Sequence, residues 1–373
     1  MINLFKVLMS GGAGASVEDI LDSGQIAQGP KVDQFEKELS IDLRNPNMVT
    51  TNSCTSAIHL ALAVLKDKIY KEYEDDEVLT TPLTCFATNA PIIHNGLKIK
   101  WCDIDPKTMN IDLKDVKKKL TEHTRILMVV DWGGYPVDYE ELDNLKYYYE
   151  SKFGKELYVI EDAAHAFGSK WYSHPVGFKR THFTCFSFQA IKHLTTGDGG
   201  LLVTPNEFYK QARLMRWFGL DRDNKVDFRA CQDINHVGYK FHMNDVAAAI
   251  GLENLKIVHQ NIKKQQENAA YLTENIKNNK VKLLEYDKFV DSSCWLYTIL
   301  VDHQEDFSLY MEKNGIQTNK VHVRNDKLSC FKEFDVGGLP QLNSIDDRRV
   351  CIPCGWFLQE WELNHIVDTI NNY

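Results

Sequence analysis

LYVIEDAAHAFGS, residues 157–169, sets a short apolar run against two carboxylates and a string of small residues. LYVI (157–160) reads as a buried strand that ends where the charge begins. Parallel sheets bind ligands beyond the carboxyl ends of their strands, so Asp162 would point into a crevice. A second reading stands level with it. Asp is a preferred helix N-cap, and Ala163–Ala164 would then open a helix. The small residues Ala163, Ala164, Ala166 and Gly168 suit close approach of a flat ligand.

Working outward, further strands are expected at 77–81 (EVLTT), 97–101 (LKIKW), 126–130 (ILMVV), 183–188 (HFTCFSF, counted from its Phe183) and 200–204 (GLLVT). A buried helix is expected at 56–65 (SAIHLALAVL), and helical patterns lie near 112–120 and 138–152. Strands alternating with helices predict an α/β fold with a largely parallel sheet. A long polar helix follows over roughly 244–280, and 293–303 (SCWLYTILVDH) reads as a strand of a smaller α+β unit. The expected division is a large domain, 1–250, and a small C-terminal domain, 251–373, with the boundary inside the long helix.

The 373 residues are 43% hydrophobic and 25% charged, and the net charge is −9. That is the composition of a soluble globular enzyme with enough chain for a sizeable core. An acidic chain offers no overall field for nucleic acid or an anionic membrane, and no stretch approaches the ~20 apolar residues of a span. The N-terminal MINLFKVLM is too short and interrupted for a secretory h-region, so a cytoplasmic protein is expected. Nine scattered cysteines then imply reduced thiols. The C-x-x-C pair Cys351–Cys354 lacks the second pair that a metal site would want, so it reads as two packed thiols. No metal site is expected.

FSFQAIKHLTTGDGG (186–200) places Lys192 between an apolar strand and a glycine-rich return. A lysine tethered beside a sheet loses solvation, its pKa falls, and it becomes a usable nucleophile. A strand-end Asp and a constrained Lys 30 residues later are what pyridoxal 5'-phosphate needs. The Lys binds it covalently, and the Asp keeps its ring nitrogen protonated. TNSCTSAIHLAL (51–62) offers small hydroxyls before a helix, either an anion site or a plain Ser/Thr cap. SGGAGAS (10–16) lacks dinucleotide-loop spacing and reads as a mobile N-terminal loop. Trp132, Trp171, Trp217, Trp295 and Trp356 read as core or interface residues.

Together these segments resemble the DegT/DnrJ/EryC1/StrS family of sugar aminotransferases. GQIAQGPKVDQFEKEL (24–39), PLTCFATNAP (82–91), GYKFHMNDVAAAIG (238–251) and the LP…RRVCIPCGW pattern (339–356) carry the likeness in the same order. The resemblance implies a fold-type I pyridoxal phosphate transferase, homodimeric with shared active sites. The implied reaction moves an amino group from L-glutamate to a nucleotide-linked keto sugar of the 4-keto-6-deoxy type, in deoxyamino sugar and lipopolysaccharide O-antigen biosynthesis. Lys192 matches the cofactor-linked lysine and Asp162 the pyridinium partner. His165 matches a residue beside the ring oxygen. Cys54, Thr55 and Ser56 match the phosphate turn, with Ser187 and its neighbour Gln189. An aromatic usually stacks on the ring at Cys85; here Phe86 would take over, or the face rests on something smaller. Lys240 stands where a partner-subunit Asn binds phosphate. His322 and Arg324 fall in the substrate-binding segment. A sugar dehydratase of the family would carry His at position 192, and a nicotinamide-dependent oxidoreductase would need a proper dinucleotide loop. A non-catalytic protein of this fold would not need Lys192 and Asp162.

Overall fold

In the computed structural model, which describes residues 1–69, 77–223, 232–334 and 337–373, the apolar runs of the first two-thirds form one seven-stranded sheet. Its strands are β1 (Met48–Thr51), β2 (Glu77–Thr80), β3 (Lys98–Trp101), β4 (Thr124–Val130), β5 (Tyr158–Asp162), β8 (Phe183–Ser187) and β9 (Gly200–Val203). A separate three-stranded sheet joins β6 (Lys170–Trp171), β7 (His174–Pro175) and β11 (Val290–Asp291). The large sheet runs in the order β1-β9-β8-β5-β4-β2-β3. Pairing is parallel from β3 to β8, and β9 lies antiparallel to both β8 and β1.

Strand β5 runs two residues past its expected end. Glu161 and Asp162 pair with Val129 and Val130 of β4, and Asp162 also with Cys185 of β8. No helix follows: residues 163–169 form turns, closed by bonds from Ala166 N to Ala163 O and Ser169 N to Ala166 O. The helix-cap reading of Asp162 is therefore set aside.

Helices pack on this sheet. The first six are α1 (Ala13–Ser23), α2 (Pro30–Asp42), α3 (Cys54–Ile69), α4 (Phe86–His94), α5 (Leu113–Lys119) and α6 (Tyr139–Phe153). Helix α3 is apolar almost all round, as a core helix must be, and is buried along most of its length. Asp138 caps α6 by accepting from the Glu140 and Glu141 N–H groups. SGGAGAS is not a free loop. It opens α1, and Ser10 N donates to Asn254 Oδ1 at 2.7 Å.

After α7 (Asn206–Arg216), the 31-residue α8 (Asp245–Asn275) leads to the C-terminal region. The expected boundary at 250 falls inside α8. Beyond it lies a three-stranded sheet of β10 (Lys282–Leu283), β12 (Tyr297–Leu300) and β13 (Arg349–Ile352), with α9 (Gln304–Lys313), α10 (Pro340–Ile345) and α11 (Glu360–Asn371). Cys351 and Cys354 are buried and free here.

Distant segments are tied by buried polar groups. The Asp245 carboxylate accepts from the N–H groups of Gly29, Lys31 and Val32 and so caps α2 from the far end of the sequence. Arg216 pairs with Glu36 inside the protein, and Glu36 also accepts from Thr50 N and Oγ1. The first residues bridge to the C-terminal region through Ile2 and Ile316, and Leu4 N donates to Gln317 Oε1 at 3.0 Å. Among the described residues, no helix is long and apolar enough to cross a membrane.

Candidate active site

The carboxyl ends of β1, β4, β5 and β8 surround a cavity of about 480 Å³. Asp162, the last residue of β5, is 5% exposed. Its Oδ2 accepts from Thr88 Oγ1 at 2.6 Å, and its Oδ1 from Ala164 N at 3.1 Å. Burial pushes its carboxyl upward, while these donors and the nearby Lys192 favour the anion.

Lys192 lines the same cavity from a closed loop. The loop is held by bonds from Phe188 N to Gly199 O, Thr196 N to Phe188 O and Lys192 N to Gln189 O. Burial lowers its amine to about 8, within reach of a proton-carrying role near neutral pH. Trp295, from the segment before β12, lies across the lysine: Nζ is 3.4 Å from the indole centroid.

His165 stacks on Trp295 at 4.0 Å between centroids. Gly133 N donates to its Nδ1, which leaves its proton on Nε2, facing His322 Nε2 at 3.4 Å. Burial pushes both imidazoles down, His322 to about 3, and the lysine charge adds to this, so both are neutral.

At the other side of the cavity, α3 begins. Ser53 Oγ accepts from Ser56 N, and Ser56 Oγ donates to Asn52 Oδ1. Ser56 is thereby used up inside the cap and does not line the cavity. Cys54 and Thr55 do, at the first two helical positions, where N–H groups have no partner within a helix. Ser187 and Gln189 join them at the end of β8. Gly200 faces this turn so closely that a Cβ there would lie 2.4 Å from the Ser53 carbonyl carbon and 2.5 Å from Cys54 N. Only glycine lets the strand and the helix start meet.

Residues 12–371 match the profile of the DegT/DnrJ/EryC1/StrS aminotransferase family. This chain belongs to that family. AtS13 from Actinomadura melliaura is 40% identical with a TM-score of 0.95, covering 100% of this chain and 99% of its own. The sugar aminotransferase CalS13 from Micromonospora echinospora is 36% identical, also at 0.95, covering 100% of both chains. A UDP-4-amino-4,6-dideoxy-N-acetyl-beta-L-altrosamine transaminase of Campylobacter jejuni is 33% identical over 305 residues, 79% of this chain and 74% of its own. The enzyme is thus an aminotransferase with the fold-type I architecture, and pyridoxal 5'-phosphate is its cofactor.

The residues present fit that group. A buried carboxylate, an amine of lowered pKa and an open helix start with small hydroxyls converge on one cavity, and Gly200 keeps the helix start clear. Among the described residues, no group of three His, Cys, Asp or Glu side chains could hold a metal ion.

Three further expected residues lie elsewhere. Phe86 does not line the cavity. Cys85 stands at the residue before α4 and lines the cavity, and the next position turns about 100° around the helix. Its ring is 48% exposed and packs on Phe331. The wall at residue 85 is therefore the small one. Arg324 is drawn away by a two-point bond to Asp326, at 2.9 and 2.6 Å, and by Asn343. Lys240 is exposed and outside the cavity of its own chain; its carbonyl accepts from Asn52 Nδ2. Conversely, Leu4, Phe5, Thr88, Gln317 and Asn319 belong to the site or its support without having been singled out, and Trp295, read as a core or interface residue, lines the cavity. Only Thr88 carried a local signal, as the second threonine of the segment that opens α4.

Proposed function

We propose that this aminotransferase moves nitrogen from L-glutamate to the keto carbon of a nucleotide-linked sugar of the 4-keto-6-deoxy type. The observation that carries this reading is the convergence of Lys192 and Asp162 on one cavity. The similarity to a UDP-sugar transaminase supports the substrate class. Within the cavity, Asp162 would hold the ring nitrogen of the cofactor, His165 the ring-oxygen side, and Thr55, Ser187 and the α3 start the phosphate. The bound cofactor supplies an electron sink next to the carbon that exchanges its nitrogen. Lys192, freed as an amine of lowered pKa, would take a proton from the glutamate α-carbon in the first half and deliver one to the sugar carbon in the return half, the bound cofactor storing it in between. Asp162, kept anionic by Thr88 and Ala164, holds the ring nitrogen in its protonated form. The neutral imidazoles and the apolar walls of Phe5, Val321 and Trp295 restrict water around the amine.

Several finer features complete the reading. The enzyme works as a homodimer with shared sites, the exposed Lys240 reaching the partner's phosphate turn. His322 contacts the sugar. Residues 1–250 form the cofactor-binding domain and 251–373 the smaller one. The enzyme acts in the cytoplasm, in deoxyamino sugar supply for a surface polysaccharide of O-antigen type; its described cysteines are all free. The test is mass spectrometry of nucleotide keto sugars incubated with enzyme, cofactor and glutamate labelled with heavy nitrogen. The label should appear in one amino sugar product. Unlabelled sugars throughout, from an enzyme that does strip nitrogen from glutamate, would refute the acceptor class.

A further inference from the structure

The Lys192 ammonium makes no ion pair among the described residues. What meets it instead is an aromatic surface, the indole of Trp295, 3.4 Å from Nζ to centroid. A cation over an indole face is attracted by the ring quadrupole, most strongly where water is excluded. Three contacts hold that indole in place. Its Nε1–H donates to the carbonyl of Ile191, the residue next to the lysine, at 2.9 Å. His165 stacks on it at 4.0 Å, and Phe5 at 5.2 Å. Trp295 itself is 4% exposed. The indole is thus tethered to the same turn that carries the amine.

We propose that Trp295 is a positioning residue for Lys192, its indole face seating the ammonium whenever the lysine is not bound to the cofactor. The proposal rests on the aminotransferase reading of the site and adds a residue to it. A lysine that alternates between bound and free states needs a resting place within reach of the reacting carbon. A carboxylate in that place would hold the proton too firmly to release it. An indole attracts the charge without accepting a proton or a hydrogen bond, so the amine is aimed and stays exchangeable. The charged and titratable groups around it are Asp162 from β5, Cys54 from α3, Cys85 before α4, and the imidazoles of His165, His193 and His322. Exchanging Trp295 removes none of these groups; it takes away the stacking partner of His165, a loss that the Leu and Met variants share.

The test uses the full chain freed of cofactor, as wild type, Trp295→Phe, Trp295→Leu and Trp295→Met. Trace acetylation of Lys192 by acetic anhydride, followed across pH by mass spectrometry, gives the titration midpoint of its amine. Phe keeps a ring; Leu and Met keep apolar bulk without one. The two ringless variants should have an acid dissociation constant about 3–10-fold larger than that of Phe, which should stay within about twofold of wild type. In the loaded enzyme, kcat should fall about tenfold in the ringless variants with KM for glutamate unchanged, and Phe should recover most of it. Thermal melts identify a variant that has failed to fold, and the remaining ringless one then decides. Equal midpoints in Phe and in the folded ringless variants, or an effect confined to KM, would overturn the proposal. The labelling needs neither cofactor nor sugar. A wild type that aminates no keto sugar but shows the ring-dependent midpoint therefore counts against the function alone.

Discussion

Gly200→Ala should damage the phosphate side of the site while leaving every catalytic side chain in place. The added methyl would lie 2.4 Å from the Ser53 carbonyl carbon, where ordinary contacts begin at 3.4 Å. The atoms it would meet, Ser53 C and Cys54 N, are both backbone at the start of α3, and Gly200 itself opens β9, so no flexible side chain can give way. Relief needs about 1 Å of separation between strand and helix, an overpacking cost of about 1–3 kcal/mol. That should lower the melting temperature of the cofactor-free protein by about 2–8 °C. The same shift moves the Cys54 and Thr55 N–H groups away from an anion. Losing one charge-assisted bond of about 1.5–3 kcal/mol weakens cofactor binding about 10–100-fold. Equilibrium titration with pyridoxal phosphate, followed by its visible absorbance, measures this directly. Gly14→Ala is the control: an exposed glycine in α1 with nothing within 4 Å of the new methyl, expected to be neutral or slightly stabilising. Unchanged melting and affinity in Gly200→Ala would refute the close-approach reasoning and with it the assignment of the α3 start to phosphate.

Other outcomes follow from the same geometry. Borohydride reduction of the loaded enzyme should fix the cofactor on Lys192, and Lys192→Ala should abolish amine transfer; a peptide map showing the label on another lysine would remove Lys192 from its role. Asp162→Asn should still bind cofactor but slow turnover by about 100-fold or more, measured as single-turnover loss of nitrogen from glutamate. Glu36→Ala should strand the buried Arg216 guanidinium and cost about 3–5 kcal/mol in urea unfolding. Mixing the inactive variants Lys192→Ala and Lys240→Glu under subunit exchange should restore part of the activity if sites are shared. No recovery would show that Lys240 serves its own chain or the fold alone.

Much of the architecture was legible because strand and helix periods alternate cleanly from residue 77 to 204. β1 escaped notice because MVTT is only four residues and two of them are polar. The Asp162 ambiguity could not be settled locally. Pairing with β4 and β8, brought in by other segments, extends β5 through the carboxylates and leaves no helix to cap. The cavity floor was readable from contiguous stretches, since Asp162, Lys192 and the α3 start each sit in a short motif. Its walls were not. Leu4, Phe5, Trp295 and Gln317 arrive from remote parts of the chain, and an isolated Trp before a strand looks like any core residue. Phe86 and Arg324 were misplaced for the opposite reason: neighbours in sequence can lie on different helix faces, and a buried Asp326 can claim an arginine.

The capping of α2 by Asp245 and the bridge from Ile2 to Ile316 bear on the order in which the protein is made. Helix α2 leaves the ribosome more than 200 residues before the carboxylate that satisfies its first N–H groups. The segment around Ile2 waits still longer, for its bridge to Ile316. During synthesis, residues 2–42 thus wait for partners made hundreds of residues later. Until then they present unsatisfied amides and the apolar side chains of Leu4, Phe5 and Leu8 to whatever else is near. The nascent chain, rather than the finished enzyme, is where a chaperone would find its grip.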